Sequence, residues 1–293
     1  MEECANGSPG LTLVLGGGPA GAACALWLHQ LGCPVLLLEK SAQCGGLQQY
    51  SPYENLWLPG LSHRKGEEVA FSINAQLCER GIPHRCGVTV QRVMQQAGGG
   101  VRLVTDAGAA FTGAILVLAT GARFRSGGFR PSDRLAIGPG KPIEAIDVKG
   151  RRVAVLGGGD NACDQYLFAL NRGASSCNIF ARHFRAQKKL RDLVPVEDIR
   201  IGSYSVDQDF MTVNATPFDV ISVQYGYEPV VPDGLEDLQR NAEGFVLADH
   251  WGQTNIDGIY AVGEVAQTFH PCVATSFAHG IQAAKAIQRR LGL

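Results

Sequence analysis

Apolar positions in this chain gather into short runs that halt at glycine, and a helical stretch follows each. Residues 11–15 form one such run, which stops at Gly16-Gly17-Gly18, and residues 20–31 then read as an apolar, alanine-rich helix. Cys33-Pro34 open a second run over residues 35–38 that ends on Glu39, closing a strand-helix-strand unit of the length a crossover needs. The same order returns later. Residues 152–156 run into Gly157-Gly158-Gly159, a helix is predicted over 162–170, Arg172-Gly173 make a turn, and a strand over 177–180 leads to Arg182. Between the two units the pattern predicts a helix over 67–80 and strands over 89–93, 101–105 and 114–118, with Gly98-Gly99-Gly100 connecting the first two. Residues 121–150 are rich in glycine and proline with little periodicity and read as a linker between domains. Further strands are predicted at 220–223 and 259–262, with a last helix over 274–291 and a second crossing near 228–250.

Composition narrows the class. The 293 residues suit two domains of ordinary size, and 45% hydrophobic with 18% charged residues excludes a disordered, coiled-coil or collagen-like chain. A formal charge of -1 offers no basic field for nucleic acid or an anionic membrane, so neither is expected as a partner. The nine cysteines form an odd set without a C-x-x-C pair, which disfavours a secreted disulfide framework or a zinc ribbon. His183, His270 and His279 show no metal-ligand spacing, and no metal is expected. The acidic, polar start reads as a short loose tail rather than a signal peptide, and no stretch reaches the length of a membrane span; a cytoplasmic protein is expected.

The glycine runs carry the candidate chemistry. Gly16-x-Gly18-x-x-Gly21 has the dinucleotide spacing: the first glycine makes a tight turn, the second admits a pyrophosphate, and the third lets helix pack on strand. The phosphates then face the unpaired N–H groups of a helix N-terminus, and Glu39 ends the next strand where an acid hydrogen-bonds a ribose diol. In the second copy, Gly157-x-Gly159-x-x-Ala162, the strand ends instead on Arg182-His183-Phe184-Arg185, with Lys188 and Lys189 close behind. An arginine there suits a 2'-phosphate; the bland alternative is a solvated basic turn.

On these and further segments the chain resembles the pyridine-nucleotide flavoproteins of the low-molecular-weight thioredoxin reductase type, which include bacterial ferredoxin-NADP reductases. The pieces run in order: GGGPAG at 16–21, CGGLQ at 44–48, ENLWLPG at 54–60, LVLATGA at 116–122, VAVLGGGDNACD at 153–164, RHFRAQK at 182–188, YGYEP at 225–229 and TNIDGIYAVGEV at 254–265. The resemblance implies an α/β fold of two Rossmann-like, three-layer β/β/α dinucleotide-binding domains, the second inserted in the first. We expect an FAD domain at 1–121 and 250–293 and an NAD(P)H-binding-like domain at 122–249. It implies an FAD site at Gly16, Gly18, Pro19, Ala20, Gly21, Glu39, Lys40, Gly46, Leu47, Gln48, Asn55, Val90, Ala119, Thr120, Gly121, Gly263, Glu264, Cys272 and Val273. The helix beginning near Cys272 and Val273 would aim its N–H groups at the flavin, where negative charge develops on reduction. For the second dinucleotide, NADPH, it implies Gly157, Gly159, Asp160, Asn161, Ala162, Arg182, His183 and Arg185; the fingerprint also admits a second FAD there.

Two departures shape the functional expectation. The C-x-x-C through which electrons leave the flavin of thioredoxin reductases is missing: residues 135–150 contain no cysteine. The aromatic tail that usually follows the last helix of the ferredoxin reductases is also absent, since the chain given stops at Leu293. We therefore expect an FAD-dependent oxidoreductase that passes electrons from NADPH through flavin directly to ferredoxin or flavodoxin, a quinone or a small molecule. A small redox protein as acceptor and a homodimer are the partners implied. Two rivals stay open: a disulfide reductase using isolated Cys44 or Cys272, the candidate redox thiols, and a dinucleotide sensor without turnover. Tyr53 and Trp57 are candidates to shield the isoalloxazine ring.

Overall fold

The apolar runs of the two glycine units form strands where predicted, because each is largely buried on both faces of a parallel sheet. The structure, a computed structural model, describes residues 10–55, 58–266 and 270–293; most of the expected N-terminal tail, and Trp57, lie outside them. The chain divides into two units, Met1–Arg123 with Glu228–Leu293, and Phe124–Tyr227.

The first unit starts with strand β1 (Thr12–Leu15), helix α1 (Pro19–Gln30) and strand β2 (Val35–Leu38). Helix α2 (Gly66–Glu79) leads to the short β3 (His84–Arg85), and β4 (Val90–Gln95), β5 (Val101–Thr105) and β6 (Ala110–Gly113) form an antiparallel meander. Then come β7 (Ile115–Leu118) and β8 (Ala122–Phe124), at which the chain leaves the unit. The third predicted strand of the intervening region is thus β7 of the parallel sheet, and the meander takes its last strand from β6, a four-residue segment that the pattern does not reveal.

Within the second unit, β9 (Leu135–Ile137) and the single-turn α3 (Lys141–Glu144) precede β10 (Arg152–Leu156), α4 (Asp160–Asn171) and β11 (Ser176–Ala181). The short α5 (Lys188–Arg191) and β12 (Ile199–Ile201) follow, then a small antiparallel meander of β13 (Val206–Asp207), β14 (Thr212–Val213) and β15 (Thr216–Pro217), and finally β16 (Val220–Val223). Its sheet is parallel throughout in the order β12-β11-β10-β16-β9. Strand β9 comes from the stretch read as linker; Leu135 and Ala136 are buried there, and the pairing of Leu135 with Ile221 makes it an edge strand. Val153 and Val155 face a cluster with Cys163 and Tyr166 of α4, whereas Ala154 and Leu156 face Phe180, Met211 and Val213. Alternate residues of one strand thus enter opposite layers.

Strand β17 (Tyr227–Pro229) lies beside β8 and brings the chain back to the first unit, which ends with β18 (Ile259–Ala261) and α6 (Val273–Leu291). The parallel sheet there has the order β18-β7-β1-β2-β3. Val14, Val35, Leu37, Ile115 and Val117 pack with α1, α2 and α6, and Leu13, Leu15, Leu116 and Leu118 pack with Val93, Leu103 and Phe111 of the meander, giving β/β/α layers. Helices α1 and α6 approach closely at Gly280, where a Cβ would lie 2.1 Å from the Ala20 carbonyl oxygen.

The return boundary expected at residue 250 falls instead at 228. Leu235, Leu238 and Val246 belong to the core of the first unit although they lie outside any regular strand or helix, so no periodicity announces them. No helix among the described residues is long and apolar enough to cross a membrane.

Candidate functional site

Each unit carries a cavity at the C-terminal ends of its parallel strands, where ligands of open α/β sheets bind. That of the first unit, about 400 Å³, is built around the turn from β1 into α1. Gly16 has φ +108°, and a Cβ on Gly21 would lie 1.9 Å from the Gly16 carbonyl oxygen. Gly21 therefore sets the packing of helix on strand from below, while Gly16, Gly18, Pro19 and Ala20 line the cavity.

Glu39, at the end of β2, also lines it and is 5% exposed. Its Oε2 accepts the Gly17 N–H at 2.6 Å and its Oε1 the Ser41 N–H at 2.7 Å, which fixes the carboxylate and leaves each oxygen a further acceptor position. Lys40, Gly46, Leu47, Gln48, Val90, Ala119, Thr120 and Gly121 continue the wall. The Thr120 hydroxyl donates to the Val230 carbonyl, which ties the turn after β7 to the returning chain. Gln48 Oε1 is buried with no hydrogen-bond partner among the described residues, an acceptor that a ligand's donor would satisfy.

Gly263, Glu264 and Val273 close the far end. Burial pushes the Glu264 carboxyl above its usual range. The Gly263 N–H donates to His279 Nδ1 at 3.2 Å, and burial pushes the imidazole below its ordinary value, so His279 is held as the neutral acceptor. Cys272 caps α6: its N–H donates to the Thr275 hydroxyl at 3.0 Å. Burial pushes its thiol up, but the Thr275 hydroxyl and the N–H groups of Thr275 and Ala274 outweigh this, and the thiol lies below its ordinary value.

Among the expected residues of this site, Gly21, Cys44, Asn55 and Cys272 are not part of the wall. Asn55 instead donates to the Arg64 carbonyl at 3.2 Å. Cys44 is fully buried beneath Gly17, and the sulfur beside it, 4.0 Å away, is that of Cys86. Tyr53 is exposed and also off the wall. Sequence reasoning missed Tyr50, Val88, Thr89, Val230, Val231 and Pro232, all of which line the cavity. Val230 to Pro232 follow β17 directly, so a return crossing placed at 228 would have pointed to them.

The second unit's cavity, about 850 Å³, repeats the construction with different chemistry. Gly157, Gly159, Asp160 and Asn161 form its glycine turn, and Arg182, His183 and Arg185 stand where the first unit has Glu39 and Lys40. The basic loop is held in place: the Arg185 N–H donates to the Gly158 carbonyl at 2.6 Å, and Asp160 accepts both the N–H and the side-chain amide of Gln187 at 2.7 Å. Ala162 is buried in the core of α4 behind the cavity. Tyr204 and Tyr225, with hydroxyls 3.0 Å apart, complete one wall; burial pushes both phenols up, and the nearby Arg182 charge opposes this. Among the described residues no group of three or more His, Cys, Asp or Glu is placed to hold a metal ion.

The profile of the pyridine nucleotide-disulphide oxidoreductase family matches residues 11–288. A ferredoxin-NADP reductase of Lactococcus lactis subsp. cremoris is 28% identical, over 95% of this chain and 94% of its own length. A thioredoxin reductase of Listeria innocua is 25% identical, over 86% of this chain and 85% of its own. In fold, the chain is similar to the crystal structure of Lactococcus lactis thioredoxin reductase, with a TM-score of 0.78 at 23% identity, covering 96% of this chain and 99% of that one.

Proposed function

Because the chain belongs to the pyridine nucleotide-disulphide oxidoreductase family, we propose that it is an FAD-dependent oxidoreductase that draws electrons from NADPH and hands them to an external acceptor without a protein dithiol. The observation that carries this reading is the contrast between the two strand ends. Glu39 offers acceptor oxygens to a ribose diol in one cavity, and Arg182 and Arg185 offer positive charge to a 2'-phosphate in the other.

The residues of the first cavity fit FAD. Space over Gly18, the first N–H groups of α1, the carboxylate of Glu39 and the orphaned Gln48 Oε1 match a pyrophosphate, a ribose and a hydrogen-bond donor. FAD, when bound, supplies the redox chemistry: it accepts hydride and releases electrons. The chain's part is placement and electrostatics. The N-terminus of α6, at Val273, presents positive dipole to that end of the cavity. Glu264, its carboxyl raised by burial, is neutral more readily than an exposed acid and adds less negative charge there.

For the acceptor, a small redox protein of the ferredoxin or flavodoxin type is the reading best supported. Relatives named ferredoxin-NADP reductase match over most of both chains, and no C-x-x-C is present to carry electrons to a disulfide. The test is an anaerobic titration of the FAD-loaded protein with NADPH and NADH, followed at the flavin absorbance, and then by addition of oxidised ferredoxin, flavodoxin or ferricyanide. Bleaching by NADPH and recovery with the redox protein are the expected results. A protein that takes up FAD but bleaches with neither nucleotide would overturn the enzyme reading in favour of a sensor or a second FAD.

A further inference from the structure

Cys44 takes no part in the cavity wall, yet it touches the loop that forms it. A Cβ on Gly17 would lie 2.5 Å from the Cys44 sulfur, so this side chain fills the space directly beneath the glycine turn. The Gly45 N–H donates to the Gly17 carbonyl at 2.8 Å, and Gly46 reaches the cavity itself. The half-buried Cys86 places its sulfur 4.0 Å from that of Cys44. Both cysteines lie beyond the ends of paired strands, Leu38 of β2 opposing Arg85 of β3: Cys86 directly follows β3, and Cys44 lies in the loop that follows β2. Those ends stay tied, with Glu39 N–H to Arg85 O, Gly87 N–H to Ser41 O and Val88 N–H to Glu39 O, each 2.9 Å. Two thiols are thus held facing each other by a hydrogen-bonded backbone, and a disulfide bond, about 2.05 Å long, needs a closure of only about 2 Å.

We propose that Cys44 and Cys86 are a reversible redox pair whose closure to a disulfide loosens the dinucleotide cavity of the first unit. The coupling to the cavity rests on the FAD reading above; the pairing does not. The oxidant is a low-molecular-weight disulfide. Cys86, the more accessible thiol, loses its proton and attacks one sulfur of the reagent; the reagent's S–S bond breaks, and one thiolate leaves and takes up a proton. Cys44 then attacks the Cys86 sulfur of the mixed disulfide and expels the second thiolate, which takes the proton that Cys44 gives up. Two protein thiols are oxidised and one reagent disulfide is reduced to two thiols. Burial pushes both protein thiols up, so little thiolate is present and closure takes minutes to hours. Drawing the Cys44 sulfur toward Cys86 removes it from its seat under Gly17, and the turn that faces the phosphates loses its support.

A third thiol must be kept out of the measurement. Cys78 is exposed, with its sulfur 3.9 Å from His84 Nε2, and His84 Nδ1 is 2.7 Å from the Ile82 carbonyl, an acceptor that makes Nδ1 the protonated nitrogen and Nε2 a base toward the thiol. The test therefore uses the Cys78→Ser protein, reduced, exposed to glutathione disulfide, alkylated at its remaining thiols and mapped by mass spectrometry. The expected product is a Cys44 to Cys86 linked peptide that dithiothreitol reverses and that Cys86→Ala abolishes. FAD should bind the oxidised protein about tenfold more weakly than the reduced one, the loss of one charge-assisted N–H bond to phosphate, and equally to both treatments of Cys86→Ala. Recovery of both cysteines as free thiols, or of Cys86 as a mixed disulfide beside free Cys44, overturns the pair. A linked peptide with unchanged FAD affinity overturns the coupling. A reduced protein that takes up no FAD refutes the cofactor reading and the coupling with it, while the linked peptide still decides the pair.

Discussion

Replacing Gly18 by alanine separates binding from folding in the first cavity. Gly18 has φ -69° and ψ -177°, a conformation open to any residue, and a Cβ there would meet nothing closer than Gly46 Cα at 3.6 Å, an ordinary contact. The folded protein loses only the preference for glycine over alanine as the N-cap of α1, about 1 kcal/mol or less. A stiffer unfolded chain offsets part of that, about 0.4–1 kcal/mol. The methyl group, however, would enter the cavity that Gly18 lines and, on the FAD reading, hold the pyrophosphate away from the first N–H groups of the helix. One or two charge-assisted hydrogen bonds of about 1.5–3 kcal/mol each are then lost, so FAD should bind between about tenfold and about twenty-thousandfold more weakly. Titration of the apoprotein by flavin fluorescence quenching, beside thermal unfolding without FAD, reads the two effects separately. Gly21→Ala is the contrast: its Cβ would lie 1.9 Å from the Gly16 carbonyl oxygen and 2.9 Å from Ala119 Cβ, so it should lower the unfolding midpoint of the apoprotein itself. Unchanged FAD affinity in Gly18→Ala, or a midpoint as low as that of Gly21→Ala, would refute the reasoning.

Three further outcomes are expected. The double change Arg182→Ala, Arg185→Ala should raise the KM for NADPH about tenfold or more and leave that for NADH nearly unchanged, because only the 2'-phosphate uses the charge; equal losses in steady-state kinetics would count against it. His279 is buried with its pKa pushed below 6.5, so its stabilising effect is complete above 6.5 and is lost as the pH falls through the lower folded value, when protonation removes the acceptor of the Gly263 N–H. The apoprotein's unfolding midpoint should therefore drop as the pH falls below 6.5, and His279→Asn, which cannot titrate, should flatten that drop; parallel curves would exclude His279 as the cause. NADPH should drive ferricyanide reduction but not thioredoxin reduction, since no C-x-x-C is present and the facing thiols of Cys44 and Cys86 both lie off the cavity wall; thioredoxin turnover lost in Cys272→Ser or Cys44→Ser would refute this.

Much of this arrangement is legible in the one-dimensional pattern where local rules coincide. The runs ending at Gly16 and Gly157 are strand ends because an unbroken apolar stretch meets residues that tolerate positive φ, and the helices after them follow from the same spacing. Glu39 and Arg182 are legible for the same reason, since each closes a strand adjacent to a glycine turn. Legibility fails where an element is defined by what it packs on. Residues 228–250 have no repeating pattern, yet Leu235, Leu238 and Val246 sit in the first unit's core. Strand β9 is three residues long amid glycine and proline and is a strand only because β16 lies beside it. Cys44 looks like a flavin neighbour from its place before Gly45-Gly46, but its direction is set by contact with Gly17 and Cys86, and no local rule encodes that.

The paired crossing of β8 and β17 has a consequence for how such a molecule is assembled and altered. Arg123 and Glu228, an ion pair at 2.7 Å, stand side by side at the two points where the chain leaves and re-enters the first unit. Topologically, the whole second unit is then a loop with adjacent ends, and the entropy of closing a loop grows only with the logarithm of its length. The first sheet, complete in the order β18-β7-β1-β2-β3, draws no strand from the segment between them. Residues 124–227 are therefore a topological insert: a segment of different sequence whose termini lie equally close would leave the sheet order of the first unit, its glycine turn, Glu39 and the α6 N-terminus unchanged, so the two units are open to change independently.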